Sequence, residues 1–222
     1  MSNATHIATG LARIGTFLRS EGWRQGEAWG VTPTQAQVLA YLTARGPTRV
    51  TAVAKEIAVT QPTATDSVAA LVSKGLIEKK PDPEDARATR LHPTAAGRRL
   101  AQDLALWPDT LLGAIDTLDA QEQAAFLRSL TKMIRDLQIR GAIPVQRMCA
   151  TCRFFRPNVH DDPAAPHHCA FVDAAFGDAR LRLDCGEHEP ADEPDAAALW
   201  RSFLGTSAGE ADAPPAATGE AS

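Results

Sequence analysis

Between Thr32 and Gly75 the chain is punctuated into three short helices with very little sequence to join them, and that spacing leaves room for only a tight helical cluster. Thr32-Pro33-Thr34-Gln35 offers an N-cap threonine, a proline at the first helical position and a glutamine three residues past the cap, so a helix starts here. Val38, Leu39 and Leu42 are its expected buried face, and Gly46-Pro47 stops it. A short helix over residues 51–58 follows, with Val53 and Ile57 inward. Thr60 caps the next helix, residues 60–74, in which Ala64, Val68, Leu71 and Val72 share one side and Gly75 marks the stop. Its other side carries Thr63, Asp66, Ser67 and Ala70, all short, with Gln61 and Thr65 near the N-terminal end. Residues 76–80, an acidic proline turn at 81–85 and residues 87–92 then read as a β-hairpin with a charged tip.

A helix-turn-helix followed by a basic hairpin has a physical use. The second helix enters the major groove and the hairpin touches backbone or minor groove beside it. The overall net charge of -4 looks unsuited to that, but it is unevenly distributed. Residues 31–100 carry a local excess of +4, whereas residues 147–222 contribute -7. A modest basic patch is what phosphate neutralisation requires.

Flanking helices complete the picture. Ile7, Leu11, Ile14 and Leu18 form an apolar stripe on a first helix that ends before Gly30 (the segment 1–30). Beyond the hairpin, Leu100, Leu104, Trp107, Leu111, Ile115 and Leu118 form another stripe, on a helix that Pro108 is expected to kink. Asp119 with Glu122 caps the last helix, whose stripe is Phe126, Leu130, Met133, Ile134 and Leu137. These stripes, within residues 1–30 and 98–140, predict a homodimer interface, against the alternative that they pack on the core of one chain.

Residues 31–97 resemble the winged-helix domain of the MarR (multiple antibiotic resistance regulator) family in the runs TPTQAQVLAYL, VTQPTATDSVAALVSKGLIEK and DARATRLHPTAAG. The last run holds the family's Asp-x-Arg pair, threonine and glycine as Asp85, Arg87, Thr94 and Gly97. The resemblance implies a mainly α fold with a small β-wing, and a dimeric repressor on pseudo-palindromic double-stranded DNA. By position it implies that Gln61, Thr63, Thr65, Asp66 and Ser67 face base edges and nearby phosphates, and that Arg87 reaches the minor groove with Asp85 orienting it. Lys74, Lys79, Lys80 and Arg90 are expected phosphate contacts. The recognition face has no arginine and so lacks the commonest bidentate contact to guanine. Three blander readings stand beside these: Thr65 satisfying a helix carbonyl, Asp66 facing the helix dipole, and Asp85 serving as a turn residue. The resemblance also implies an alternative signal, a small aromatic effector in a pocket lined by Trp23, Trp29 and Trp107.

After Gly141 the helical pattern ends and a separate module over residues 145–190 is expected. It holds all four cysteines of the chain: Cys149 and Cys152 as a C-x2-C pair, Cys169 and Cys185 as distant singles. So short a segment rarely folds unaided, and a shared metal is the economical explanation. His160, His167, His168 and His188 are near enough in sequence to compete as ligands. Structural zinc usually takes two close pairs, whereas a [4Fe-4S] cluster accepts four cysteine thiolates in this arrangement, so the cluster is placed ahead of Zn²⁺ and a disulfide third. The segment also looks like high-potential iron-sulfur proteins, in the C-x2-C followed by aromatics, here Phe154 and Phe155, and by two spaced single cysteines. A cluster here would make the grip on DNA depend on redox state, oxygen or iron; a zinc would be structural.

Residues 191–222, rich in Ala, Pro and acids, are expected to be disordered, save for a turn or two of helix at 196–204 with Trp200 and Leu204 inward. No apolar run could span a membrane and the N-terminus lacks signal-peptide order, so a cytoplasmic protein is expected. No enzyme is expected either, because no nucleophile, base and orienting group recur together and no phosphate-binding glycine loop is present. An iron-sulfur electron carrier is the remaining rival.

Overall fold

The computed structural model describes residues 2–104 and 108–205. The chain divides into two compact units, Met1–Gly113 and Ala114–Ser222. Among the described residues no helix is long and apolar enough to cross a membrane.

The first unit runs α1 (Asn3–Ala28), α2 (Pro33–Arg45), α3 (Val50–Glu56), α4 (Gln61–Ser73), β1 (Ile77–Asp82), β2 (Asp85–Pro93) and α5 (Ala95–Leu104). Its helix starts are those the caps dictate. Thr32 and Gln35 form a reciprocal capping box, and the Thr60 hydroxyl accepts from the Thr63 amide at 3.3 Å. Val38, Leu39, Leu42, Val53, Val68, Leu71, Ile77, Leu91 and Leu100 fill one buried core. Val72, expected inward, is exposed: the buried arc of α4 is centred on Ala64, Ser67, Val68 and Leu71, and Val72 lies past its edge.

β1 and β2 pair antiparallel from Ile77↔Pro93 to Asp82↔Asp85, and Leu91 adds a bridge to Thr48. The hairpin is thus tied to the segment before α3. Thr94 and Gly97 explain the family motif locally. The Thr94 hydroxyl donates to the Gly75 carbonyl at 2.9 Å and accepts from the Gly97 amide at 3.0 Å. A Cβ on Gly97 would collide with the Leu76 carbonyl, so only glycine lets α5 lie this close to the start of β1.

The kinked helix expected through Pro108 is not what forms. α5 is described as far as Leu104, and a separate α6 (Asp109–Ile115) begins immediately after the non-helical Pro108, whose carbonyl accepts from Leu111 and Leu112. A residue without an amide proton is at home at a helix start. The expected Trp107 position of that stripe lies outside the described residues.

The second unit contains α7 (Ala120–Ile139), a 3₁₀ turn (Cys149–Thr151), β3 (Phe155–Arg156), β4 (His167–Cys169), β5 (Ala174–Phe176), a second 3₁₀ turn (Asp178–Arg180) and α8 (Asp195–Leu204). The three short strands form one antiparallel sheet in the order β3-β4-β5. Asp119 and Glu122 close the expected capping box on α7. The cysteine segment is not a free-standing piece bounded at 145 and 190. Leu127 of α7 and Leu199 and Trp200 of α8 pack on its core of Phe155, Leu181 and Phe203. The tail is corrected accordingly: residues 195–204 form a helix of three turns, anchored by the fully buried Phe203, while Leu204 is exposed. Residues 206–222 lie outside the described residues.

Candidate nucleic-acid interface and cysteine site

In the first unit the exposed side of α4 presents Gln61, Thr63, Thr65 and Asp66. Thr63 Oγ1 lies 2.8 Å from Thr60 Oγ1, and Thr65 Oγ1 donates to the Gln61 carbonyl at 2.8 Å. The hydroxyl of Thr65 therefore serves its own helix, the blander of its two expected roles. Asp66 lies beyond the first turn of α4, out of reach of the helix's positive end. Ser67 must be removed from the reading surface. It is 8% exposed and belongs to the buried arc with Ala64 and Val68.

Lys74 is also reassigned. Its Nζ donates to the Gly30 carbonyl at 2.6 Å and to Gln35 Oε1 at 2.8 Å, which ties the end of α4 to the start of α2. The hairpin cations differ among themselves. Lys80 pairs with Glu78 at 2.6 Å, and Arg90 pairs with Asp82 at 3.1 Å and Glu84 at 2.8 Å. Lys79 and Arg87 are exposed and have no ion pair or hydrogen-bonding side-chain partner among the described residues. Arg87 is thus an unspent guanidinium on β2. Asp85 does not hold that guanidinium: its Oδ1 accepts the Arg87 backbone amide at 3.1 Å, and its Oδ2 lies 3.4 Å from Arg49. It shapes the start of the strand from which Arg87 projects.

The tip of the hairpin is fixed by a group that the sequence pattern did not single out. The Asp82 carboxylate is buried, accepts the Glu84 amide at 3.0 Å, and pairs with Arg49 at 2.6 Å and with Arg90. The Glu84 amide and then the Arg49 guanidinium hold its pKa down at about 2, from an ordinary 3.8. A carboxyl whose folded pKa is depressed contributes stability that is complete above its ordinary pKa and disappears as pH falls through the folded value. The contribution of Asp82 is therefore expected to fade between 3.8 and about 2. An Asp82→Asn chain should melt at a lower temperature at neutral pH and show a flatter loss across that acid window. Thermal melts followed by circular dichroism check both; parallel pH profiles for the two chains would contradict the assignment.

In the second unit the four cysteines are all reduced thiols and line one cavity of about 420 Å³ with Phe154, Phe155, Phe171, Phe176 and Arg182. Cys149 and Cys152 are supplied by the first 3₁₀ turn and its end, Cys169 by the end of β4 opposite Phe155, and Cys185 by a loop whose amide donates to the Arg147 carbonyl at 2.8 Å. Burial pushes the Cys149 thiol pKa up, partly countered by the Arg182 amide donating to its sulfur at 3.3 Å. The Arg182 guanidinium donates to the Cys185 sulfur at 3.7 Å. No disulfide forms. Among the described residues no three Cys, His, Asp or Glu side chains are gathered closely enough to hold a single metal ion.

The histidines leave the competition for ligands. His167 is fully buried, with Nε2 2.9 Å from Asp178 Oδ1 and Nδ1 accepting the Asn158 amide at 3.2 Å. His168 engages Asp173 and His160, and His188 lies 2.9 Å from the Thr151 hydroxyl. None of the four lines the cavity.

One connection is invisible in the sequence. Arg128 of α7 donates to Asp178 Oδ1 at 2.9 Å and to the Phe203 carbonyl at 2.6 Å, and its guanidinium lies 4.4 Å from the centre of the Phe203 ring. A single side chain of α7 thus binds the second 3₁₀ turn and α8 together. Trp23 and Trp29, expected around an effector pocket, are exposed at 60% and 54%, and line no described cavity. Trp107 lies outside the described residues.

The family model of the MarR family matches residues 29–88. Among curated proteins there is no match to the chain. Two solved structures share the fold: S. aureus MepR in its complex with DNA, 24% identical with a TM-score of 0.52, and the transcriptional regulator BldR from Sulfolobus solfataricus, 20% identical with a TM-score of 0.51. They cover 60% and 61% of this chain and 98% and 99% of their own, so nearly the whole of each is matched and the remainder of this chain is not. Over residues 29–88 the chain is similar to the MarR family, and it shares its winged-helix fold with these two structures.

Proposed function

We propose that the protein is a sequence-specific DNA-binding repressor that acts as a homodimer on a pseudo-palindromic site, with α4 in the major groove and β2 carrying Arg87 into the adjoining minor groove. The observation that carries this reading is the pairing of an exposed, short-chained face on α4 with an unpaired guanidinium on the following hairpin. A lightly charged helix can lie deep in a groove and read bases through Gln61, the Thr63 methyl and DNA shape, while Lys79 and Arg87 supply phosphate and minor-groove attraction. S. aureus MepR was solved in complex with DNA, which agrees with this use of the fold. Dimerisation is supported by apolar side chains left exposed on helices of both units, Ile7 and Ile14 on α1 and Phe126, Met133 and Leu137 on α7. The cysteine site conditions DNA binding through α7, with which it shares a core.

Selection of bound duplexes from a random pool by the full chain tests the reading. The expected product is an inverted repeat whose half-sites lie about one helical turn apart. Enrichment of no motif would reject sequence-specific binding. If the module conditions binding, exposing the purified protein to dioxygen will change its affinity for the selected duplex, and Cys152→Ala will abolish that change.

A further inference from the structure

The geometry points to a [4Fe-4S] cluster site in the cavity of the second unit, with Cys149, Cys152, Cys169 and Cys185 as its four ligands. The inference deepens the conditioning part of the proposed function by naming the group involved, and its chemical test stands or falls without any DNA. Four cysteines spread over 37 residues line one cavity, and none of the four is in a disulfide. Cys152 and Cys149 also touch the aromatic core, while Cys169 and Cys185 do not belong to it.

The size of the shared cavity favours a cluster over a single ion. Zinc at about 2.3 Å from each sulfur would bring tetrahedral thiolates to within about 4 Å of one another. Among the described residues no three donors are gathered in that way, while the shared cavity is about 420 Å³. A single ion would occupy only a small part of that volume. A cubane, with iron at four separate corners, takes one thiolate at each and fills the space between them.

The walls suit the same occupant. Phe154 and Phe171 pack with ring centres 5.4 Å apart, and Phe155 and Phe176 at 5.8 Å, giving an apolar shell around the thiols. Arg182 places an amide against the Cys149 sulfur and its guanidinium against the Cys185 sulfur. Two ferrous ions, two ferric ions, four sulfides and four thiolates together carry two negative charges, and the four thiols release four protons on ligation. Arg182 is placed to offset that charge and to hydrogen-bond two of the ligand sulfurs, the means by which a protein sets a cluster's potential. No histidine substitutes for a ligand, because His160, His167, His168 and His188 are engaged elsewhere.

The test is anaerobic incubation of the full reduced chain with ferrous and ferric iron and sulfide, and in a parallel arm with zinc alone, each followed by desalting in the presence of a chelator. The expected result is a broad visible absorption that bleaches on reduction, with about four irons and four sulfides per chain, and no zinc retained. Cys185→Ser and Cys169→Ser should each lower iron and sulfide several-fold. Arg182→Ala keeps all four ligands, so it should retain the iron and sulfide while moving the midpoint potential to a more negative value. One tightly held zinc per chain with no iron-sulfur absorption would overturn the proposal. So would cysteine variants that keep the full iron and sulfide content, or an Arg182→Ala chain with an unmoved potential.

Discussion

Replacing Phe203 with alanine is expected to destabilise the cysteine-bearing unit by about 3–5 kcal/mol, a large part of what holds a domain of ordinary stability together. Phe203 is fully buried, with ring centres 5.8 Å from Phe155, 5.7 Å from His167 and 5.7 Å from the stacked Trp200. Removing the ring loses its transfer free energy and leaves a cavity in the middle of an aromatic cluster that is too tightly tied to collapse. The ties are polar. His167 is fixed by Asp178 and Asn158, and Arg128 is fixed by Asp178 and by the Phe203 carbonyl itself. The guanidinium of Arg128 would also lose the ring face it lies over, a contact of about 0.5–2 kcal/mol included in that range. Hydrogen exchange read by mass spectrometry in increasing urea checks this. Peptides from α8 and β3–β5 should lose protection at much lower urea than in the parent, and peptides from α4 should be unchanged. A loss below about 1 kcal/mol would mean that α8 is not part of the core.

The same residue shows where the sequence is readable and where it is not. Caps, stops and periodicity concern neighbours within one or two turns, and these are legible: Thr32, Thr60 and Asp119 begin helices as their side chains predict, and Gly46 and Gly75 end them. The burial of Ser67 and the exposure of Val72 are not, because an arc of helix is assigned by whichever neighbours arrive, and a serine is small enough to sit against α4's packed side. The tail misleads for a related reason. Composition over residues 191–222 averages a short apolar helix with a long polar remainder, so the anchoring role of Phe203 disappears into the mean. Charge alone makes Lys74 and Arg90 look like phosphate ligands, yet charge says nothing about whether a carbonyl or carboxylate within the fold already claims them. The four cysteines are legible as a set because no other part of the chain contains one. The role of Arg182 beside them depends on a loop geometry that no spacing rule encodes.

Arg87→Ala is expected to weaken binding to a selected duplex by about 1–3 kcal/mol, roughly 5- to 150-fold, without lowering the melting temperature of the protein. The two halves of that expectation have one cause. The guanidinium of Arg87 is exposed and has no partner among the described residues, so its removal leaves nothing unpaired inside the fold and takes away a cation that a narrow minor groove attracts strongly. Arg87→Lys keeps the charge but loses the planar fork and its weaker hydration, and should fall between the parent and alanine. Lys79→Ala is the contrasting case: an exposed point charge should cost affinity evenly across sequences and reduce the salt slope by about one. Ser67→Ala is the control on the other side of α4. Its side chain is buried, so DNA affinity should stay within about twofold of the parent even if stability changes. Fluorescence anisotropy titrations at several salt concentrations separate these outcomes. An Arg87→Ala chain that binds like the parent would remove the hairpin from the interface. A Ser67→Ala chain that loses affinity with unchanged stability would mean that α4 turns a different face to the DNA.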